Sequence, residues 1–218
     1  MTILHSIKEL ALKAGVEVNW YNAAQSDVAR LFKLLATHKI DTILDVGAND
    51  GGYGKMLRKG GYAGAVLSFE PLAEAHENLL RAAVGDETWQ VAPRMAIGAS
   101  SGEIEINVAG NSTSSSILPM RALHESAAPR SRYIGTEKVP LRRLDSVAHP
   151  FIEKSRNLLL KIDTQGYEMP VLEGAESLFP RICGIQLELS LVPLYEGQVL
   201  YREVIDWIAG KGFELWSI

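Results

Sequence analysis

The stretch Ile43-Leu44-Asp45-Val46-Gly47-Ala48-Asn49-Asp50-Gly51-Gly52-Tyr53 decides the fold. An apolar strand enters a glycine turn, and the turn opens a helix containing Lys55, Met56 and Leu57. Gly47 permits a tight turn and close backbone approach to a ligand, while the helix behind presents unpaired N–H groups. Outward from this unit, short β-rich runs alternate with helical stretches. The runs are 42–46, 65–69, 89–92 continuing unevenly to 97, 157–162, 182–189 and 213–218. Continuous apolar runs such as Leu158-Leu159-Leu160, and Ile185-Gln186-Leu187, predict strands buried on both faces. That is the mark of a parallel sheet covered by helices, so the pattern predicts a doubly wound, mostly parallel α/β domain.

One stretch breaks the alternation. Residues 102–144 contain Glu103-Ile104-Glu105-Ile106-Asn107-Val108, a period-two strand, then a serine-rich run at 112–116 and a short strand at Lys138-Val139-Pro140-Leu141. It reads as an insertion between the third and fourth core strands, and loops at the carboxyl ends of such strands carry ligands. Upstream, Ile3, Leu4, Ile7, Leu10 and Ala11 recur at helical spacing with a stop at Gly15, and a second helix starts near Ser26 or Asp27. The expected organisation is a helical extension over 1–39 followed by one α/β domain over 40–218.

Composition limits the alternatives. A chain of 218 residues, 47% hydrophobic and 22% charged, builds an ordinary globular core. Its net charge of −4 argues against a nucleic-acid surface built on bulk charge. Cys183 is the single cysteine, which excludes an intrachain disulfide and a cysteine zinc cluster, and its apolar neighbours read as a buried small side chain. No apolar run approaches the roughly 18 residues of a membrane helix, and Lys8, Glu9 and Lys13 interrupt any signal-peptide pattern, so a cytoplasmic protein is expected.

At the end of the next strand stands Phe69-Glu70-Pro71, with Glu70 23 residues after Gly47. That is close to the roughly 20 expected for an acid on a ribose. A carboxylate accepts both ribose hydroxyl protons, each bond contributing about 1.5–3 kcal/mol. The turn is not G-x-G-x-x-G, and no G-x-x-x-x-G-K-[ST] loop exists. Asp45 and Asn49 add polar and negative character where a dinucleotide pyrophosphate would sit, which suits the cationic end of S-adenosylmethionine better. A nicotinamide-dependent oxidoreductase and a donor-binding scaffold without catalysis remain as alternatives.

The sequence resembles the FkbM-type family of class I S-adenosylmethionine-dependent methyltransferases. The resemblance rests on Leu44-Asp45-Val46-Gly47-Ala48-Asn49-Asp50-Gly51, on Phe69-Glu70-Pro71 and on Leu160-Lys161-Ile162-Asp163-Thr164-Gln165-Gly166-Tyr167-Glu168. Val171-Leu172-Glu173-Gly174-Ala175 and Val139-Pro140-Leu141-Arg142-Arg143-Leu144-Asp145 fit as well, and one departure is Gln165, where members often carry glutamate. The resemblance implies a Rossmann-like fold and O-methylation of a hydroxyl on a sugar, polyketide or lipid-linked metabolite, as in secondary metabolism. The donor site would be shaped by Asp45, Gly47, Ala48, Asn49, Tyr53, Glu70 and Pro71, with Ala96 and Ile97 flanking the adenine.

Asp163 ends the fourth core strand and is the first candidate for acceptor base or orienter, with Glu188 closing the neighbouring strand beside it. Glu168 either joins them or starts the next helix. Converging carboxylates leave a metal-assisted variant open, although no metal ligand set is assigned. Ser114 and Ser115 in the serine run, and His124, are candidates for contacting the acceptor, and Arg121, Arg130 and Arg132 for an anionic one. Residues 213–218 read as a sixth core strand, after which the class I fold adds a seventh by a hairpin. The chain would then either be truncated or leave a sheet edge for the N-terminal helices, or for a second copy in a homodimer, to cover.

Overall fold

A computed structural model describes residues 3–16, 18 and 21–218. They form two compact units, Met1–Lys39 and Ile40–Ile218. The first contains helix α1 (Ile3–Lys13) and helix α2 (Asp27–Thr37). The Ser26 hydroxyl caps α2 by accepting the Ala29 N–H at 3.3 Å, and Asp27 places a negative charge in its first turn. No described helix is long and apolar enough to cross a membrane.

The second unit is an α/β domain. Its strands β1 (Thr42–Val46), β2 (Ala65–Phe69) and β3 (Trp89–Val91) alternate with helices α3 (Gly52–Lys59) and α4 (Ala73–Ala83). Later come helix α6 (Leu144–Ile152), strand β7 (Leu158–Ile162), helix α7 (Glu168–Glu173), strand β8 (Ile182–Leu187) and helix α8 (Tyr201–Ala209). The five strands make one parallel sheet in the order β3-β2-β1-β7-β8, a Rossmann-like arrangement. Every residue of β1 and β7 is buried, as their apolar sequences require for a central position. Alternate residues serve different purposes. Leu44, Val46, Leu158, Leu160 and Ile162 join the main core with Leu144 and Ile152 of α6, Val171 of α7 and Val204 of α8. On the other face, Asp45 lies in register between Ser68 of β2 and Lys161 of β7.

Between β3 and α6 the chain makes a second, three-stranded sheet, in the order β4-β6-β5. It consists of β4 (Ala96–Ile97), β5 (Gly102–Ala109) and β6 (Tyr133–Arg142), with the short helix α5 (Ala122–Ala127) in the β5–β6 connection. The segment expected as an insertion is therefore a built sheet, and it starts earlier than residue 102. The run 89–97 is not one uneven strand: Pro93 offers no N–H to the ladder after Ala92, and the chain crosses to the second sheet through Arg94, which pairs with Glu137 of β6 at 2.6 Å.

Two further expectations are corrected. The strand expected over 182–189 stops at Leu187. Residues 213–218 form no strand, so the parallel sheet has five strands rather than six. Phe213 leaves its backbone unpaired with β8 and packs its ring against Phe179, 5.9 Å between centroids, while Leu215, Trp216 and Ile218 are exposed. Strand-forming residues with nothing to pack against do not make a strand, because β-propensity is mostly packing.

Candidate functional site

The order of the parallel strands reverses between β1 and β7, and the crevice outside their carboxyl ends is where such sheets take ligands. Gly47, just past β1, has φ +76°, and a Cβ there would stand 1.9 Å from the Asp163 carbonyl oxygen past β7. Only glycine lets the two strand ends approach so closely. The N–H groups of Gly47 and Ala48 both donate to the Phe69 carbonyl, at 3.1 and 3.0 Å, which locks the turn onto the end of β2. Asn49 follows with φ 48°, its N–H donating to Glu70 Oε2 at 2.8 Å. The other oxygen of Glu70 accepts the Leu72 N–H at 2.9 Å. Glu70 is 5% exposed, and burial pushes its carboxyl up to about 7 against the pull of the two amides.

A buried polar network supports the turn from behind. The Trp89 indole N–H donates to Ser68 Oγ at 3.0 Å, and Ser68 donates to Asp45 Oδ2 at 3.1 Å. Lys161 Nζ lies 3.1 Å from Asp45 Oδ1 and donates to the Gly47 carbonyl at 3.0 Å. Tyr53 covers this ammonium with its ring and donates its hydroxyl to Gln186 at 2.6 Å. Asp45 and Tyr53, expected at the donor site, thus stand behind the turn, Ala48 is buried within it, and none of the three lines the cavity. Asp45 does pair with an ammonium, but it is the chain's own Lys161.

The cavity in front of the turn holds about 450 Å³, in the range of small-ligand sites. Gly47, Asn49, Glu70 and Pro71 line one side, Ala96 and Ile97 of β4 with Met95 another. The wall is the serine turn carried by the β5–β6 hairpin, with a single 3-10 turn at Ser112–Ser114. Ser112 Oγ donates to Asn49 Oδ1 at 3.3 Å, and Ser116 Oγ donates to the Gln165 carbonyl at 2.7 Å. Ser114 and Ser115 both line the cavity, although the Ser115 hydroxyl is occupied by the Ala109 N–H at 2.9 Å. His124 does not line it. Helix α5 turns its ring edge-on against Tyr195, 5.3 Å between centroids, and its Nδ1 is buried without a hydrogen-bond partner. Arg121, Arg130 and Arg132 are also outside the lining, Arg132 being paired with Glu125.

Asp163 and Glu188 meet at the far end. Glu188 follows β8 and its N–H donates to Ile162 O at 3.2 Å, so the two carboxylates sit at adjacent strand ends. Asp163 Oδ1 accepts from Gln165 Nε2 at 2.8 Å, and its Oδ2 lies 3.7 Å from Lys161 Nζ. The charge of Asp163, then burial, raises the Glu188 carboxyl. Glu168 is excluded from this pair by its work in the loop. It accepts the N–H groups of Thr164 and Gly166, at 3.2 and 2.9 Å, and the Thr164 hydroxyl, fixing the turn that holds Gln165 at φ 53°. Among the described residues, no group of three or more His, Cys, Asp or Glu side chains is arranged to hold a metal ion.

Several participants were not singled out beforehand. Lys161 is a charge inside an apolar strand, and Asp45 is another in the neighbouring strand; their pairing is the one signal that points to the network. Tyr195, buried and bonded through its hydroxyl to Ser114 O at 3.2 Å and Gln165 Oε1 at 3.3 Å, lies in an irregular segment with no local pattern to mark it.

Comparison with curated proteins and with solved structures finds no match. A family model described as the methyltransferase FkbM domain matches residues 45–215, more than three quarters of the chain, from the strand before the glycine turn to beyond α8. On that match, and on a Rossmann-like sheet with its cavity at the strand-order reversal, the chain belongs to the FkbM methyltransferase domain family.

Proposed function

We propose that the chain transfers a methyl group from S-adenosylmethionine to a hydroxyl of a small metabolite. The observation that carries this reading is the charge layout of the cavity. Glu70 stands at one end, Asp163 and Glu188 stand at the other, and among the described residues no lysine, arginine or histidine lines the space. An acidic cavity suits a cationic methyl donor and a neutral acceptor, and it disfavours the pyrophosphate of a nicotinamide dinucleotide. When bound, the donor supplies an electrophilic methyl on a positive sulfur, so that a C–O bond forms as the C–S bond breaks. The chain's residues do the rest. Glu70 accepts the ribose hydroxyls, and β4 with Met95 packs against the base. The Asp163 carboxylate accepts the acceptor's hydroxyl proton as the oxygen attacks. Alignment of this kind supplies about 7–11 kcal/mol of a barrier, and a positioned base about 10²–10⁴-fold.

Calorimetry with S-adenosylhomocysteine tests the donor site. Saturable binding is expected, and a folded sample that gives no binding heat at millimolar ligand overturns the proposal. A mass-spectrometric screen of sugars and other hydroxylated metabolites for one methyl replacing one proton then identifies the acceptor.

The pH dependence of that binding follows from Glu70. Its carboxyl is raised to about 7 in the folded chain, so its contribution to stability is present at low pH and is lost as pH climbs toward 7. Ribose hydroxyls donate to the ionised form, so binding must expel the proton. Affinity for S-adenosylhomocysteine is therefore expected to rise roughly tenfold per pH unit below 7 and to level off above it. Titrations in buffers of different ionisation heat will show proton release near pH 6 that vanishes in Glu70→Gln. Equal affinity at pH 6 and 8 would contradict the assignment of Glu70.

A further inference from the structure

Gln165 holds an unusual backbone and has both ends of its side-chain amide engaged. It is a non-glycine residue at φ 53°, in the left-handed region that such residues rarely adopt unless their surroundings hold them there. The Ser116 hydroxyl donates to its carbonyl at 2.7 Å, and its amide nitrogen Nε2 donates to Asp163 Oδ1 at 2.8 Å. Its amide oxygen accepts from the Tyr195 phenol at 3.3 Å. A chain of contacts therefore runs from Tyr195, which does not line the cavity, through Gln165 to Asp163, which does.

Tyr195 is tied down more firmly than a space-filling ring requires. The segment around it pairs with the start of the β5–β6 connection. The Arg121 N–H donates to Leu194 O at 2.9 Å, and the Glu196 N–H donates to Pro119 O at 2.8 Å. Gln198 Oε1 accepts the Leu194 and Tyr195 N–H groups, at 3.0 and 3.3 Å. Gly166, at φ +99°, gives the ring room, since a Cβ there would stand 3.0 Å from Tyr195 Cδ2. Burial pushes the phenol up, so it keeps its proton. That one proton is divided between the Ser114 carbonyl at 3.2 Å and Gln165 Oε1. With the amide oxygen held by a donor, the NH2 end is left to face Asp163. The opposite orientation would turn the NH2 group to the phenol and leave the Asp163 contact without its donor.

We propose that Tyr195 is a positioning residue that acts through Gln165: its hydroxyl holds the amide so that Nε2 fixes the Asp163 carboxyl group at the acceptor end of the cavity. Its bearing on turnover rests on the methyl-transfer reading, whereas the amide orientation requires neither donor nor acceptor. The same phenol bonds the serine turn, so the wall of the cavity and the group at its end share one anchor.

NMR of the Gln165 side-chain amide in the ligand-free chain tests this, the resonance pair being identified by its loss in Gln165→Glu. In the native chain the two protons are expected to be well separated in shift and slow to exchange with water. A pair with the shifts and exchange of a free amide overturns the proposal, and the native chain alone decides that point. In Tyr195→Phe, which removes one oxygen from a buried ring, exchange should quicken by at least about tenfold while the backbone resonances of β1, β2 and β7 stay in place. A folded Tyr195→Phe with the native amide shifts and exchange also overturns it. With an acceptor from the methylation screen, Tyr195→Phe should lower kcat by about 10-fold to 100-fold and leave S-adenosylhomocysteine affinity unchanged. That loss should not add to the loss in Gln165→Glu, which already replaces the donating nitrogen by an oxygen. Additive losses would make Tyr195 a structural residue and overturn the proposal. A native chain that shows the expected amide but binds no S-adenosylhomocysteine would instead count against the methyl-transfer reading alone.

Discussion

Replacing Gly47 by alanine is expected to cost the chain at least about 3 kcal/mol, enough to leave many domains unfolded. Two effects add. The backbone holds φ +76°, which an L side chain rarely adopts, and the new methyl would lie 1.9 Å from the Asp163 carbonyl oxygen, which cannot move without parting β1 from β7. Gly61 separates the two effects. It has φ +88° with nothing within 4 Å of an added Cβ, so Gly61→Ala bears the conformational strain only. Urea denaturation of the two variants should place Gly47→Ala far below Gly61→Ala, whose loss is about 1 kcal/mol. Equal midpoints would mean that the turn and β7 do not pack as described.

Asp163→Asn is expected to lower turnover by about 10²–10⁴ once an acceptor is in hand, while S-adenosylhomocysteine affinity changes by no more than about threefold. Asparagine keeps the shape and the Gln165 contact but cannot take a proton. Lys161 keeps Asp45 at 3.1 Å, so no buried charge is stranded and the fold should survive. Steady-state kinetics with the donor saturating separates the two quantities. Undiminished turnover removes Asp163 as the base, and a matching loss of donor binding makes it a donor-site residue instead.

How much of this was legible in the residues depends on how local each signal was. The β1 turn, Glu70 and the Asp163 block are continuous motifs whose chemistry is carried within a few positions, and the structure brings Gly47, Asn49, Glu70 and Pro71 to the cavity. Ala96 and Ile97 also reach it, but by way of a second sheet that no nearby pattern announces. Long-range pairing was the blind spot. Asp45 looked like a ligand-facing carboxylate because its partner, Lys161, is far along the chain and becomes its neighbour only through the β1–β7 register. His124 had no spacing to reveal that Tyr195 would take its ring. Residues 213–218 carry strand-forming side chains, yet strand formation was settled by the absence of a partner rather than by propensity.

The serine turn has one more implication. Ser112 and Ser116 join it to the two halves of the cavity through their hydroxyls, and Tyr195 grips the Ser114 carbonyl from behind. None of these ties is a rung of the parallel sheet. Exchanging residues along this turn therefore reshapes the space for an incoming molecule without loosening the strands that carry Glu70 and Asp163. On the methyl-transfer reading proposed above, such a division marks the β5–β6 hairpin as the segment to graft when redesigning selectivity.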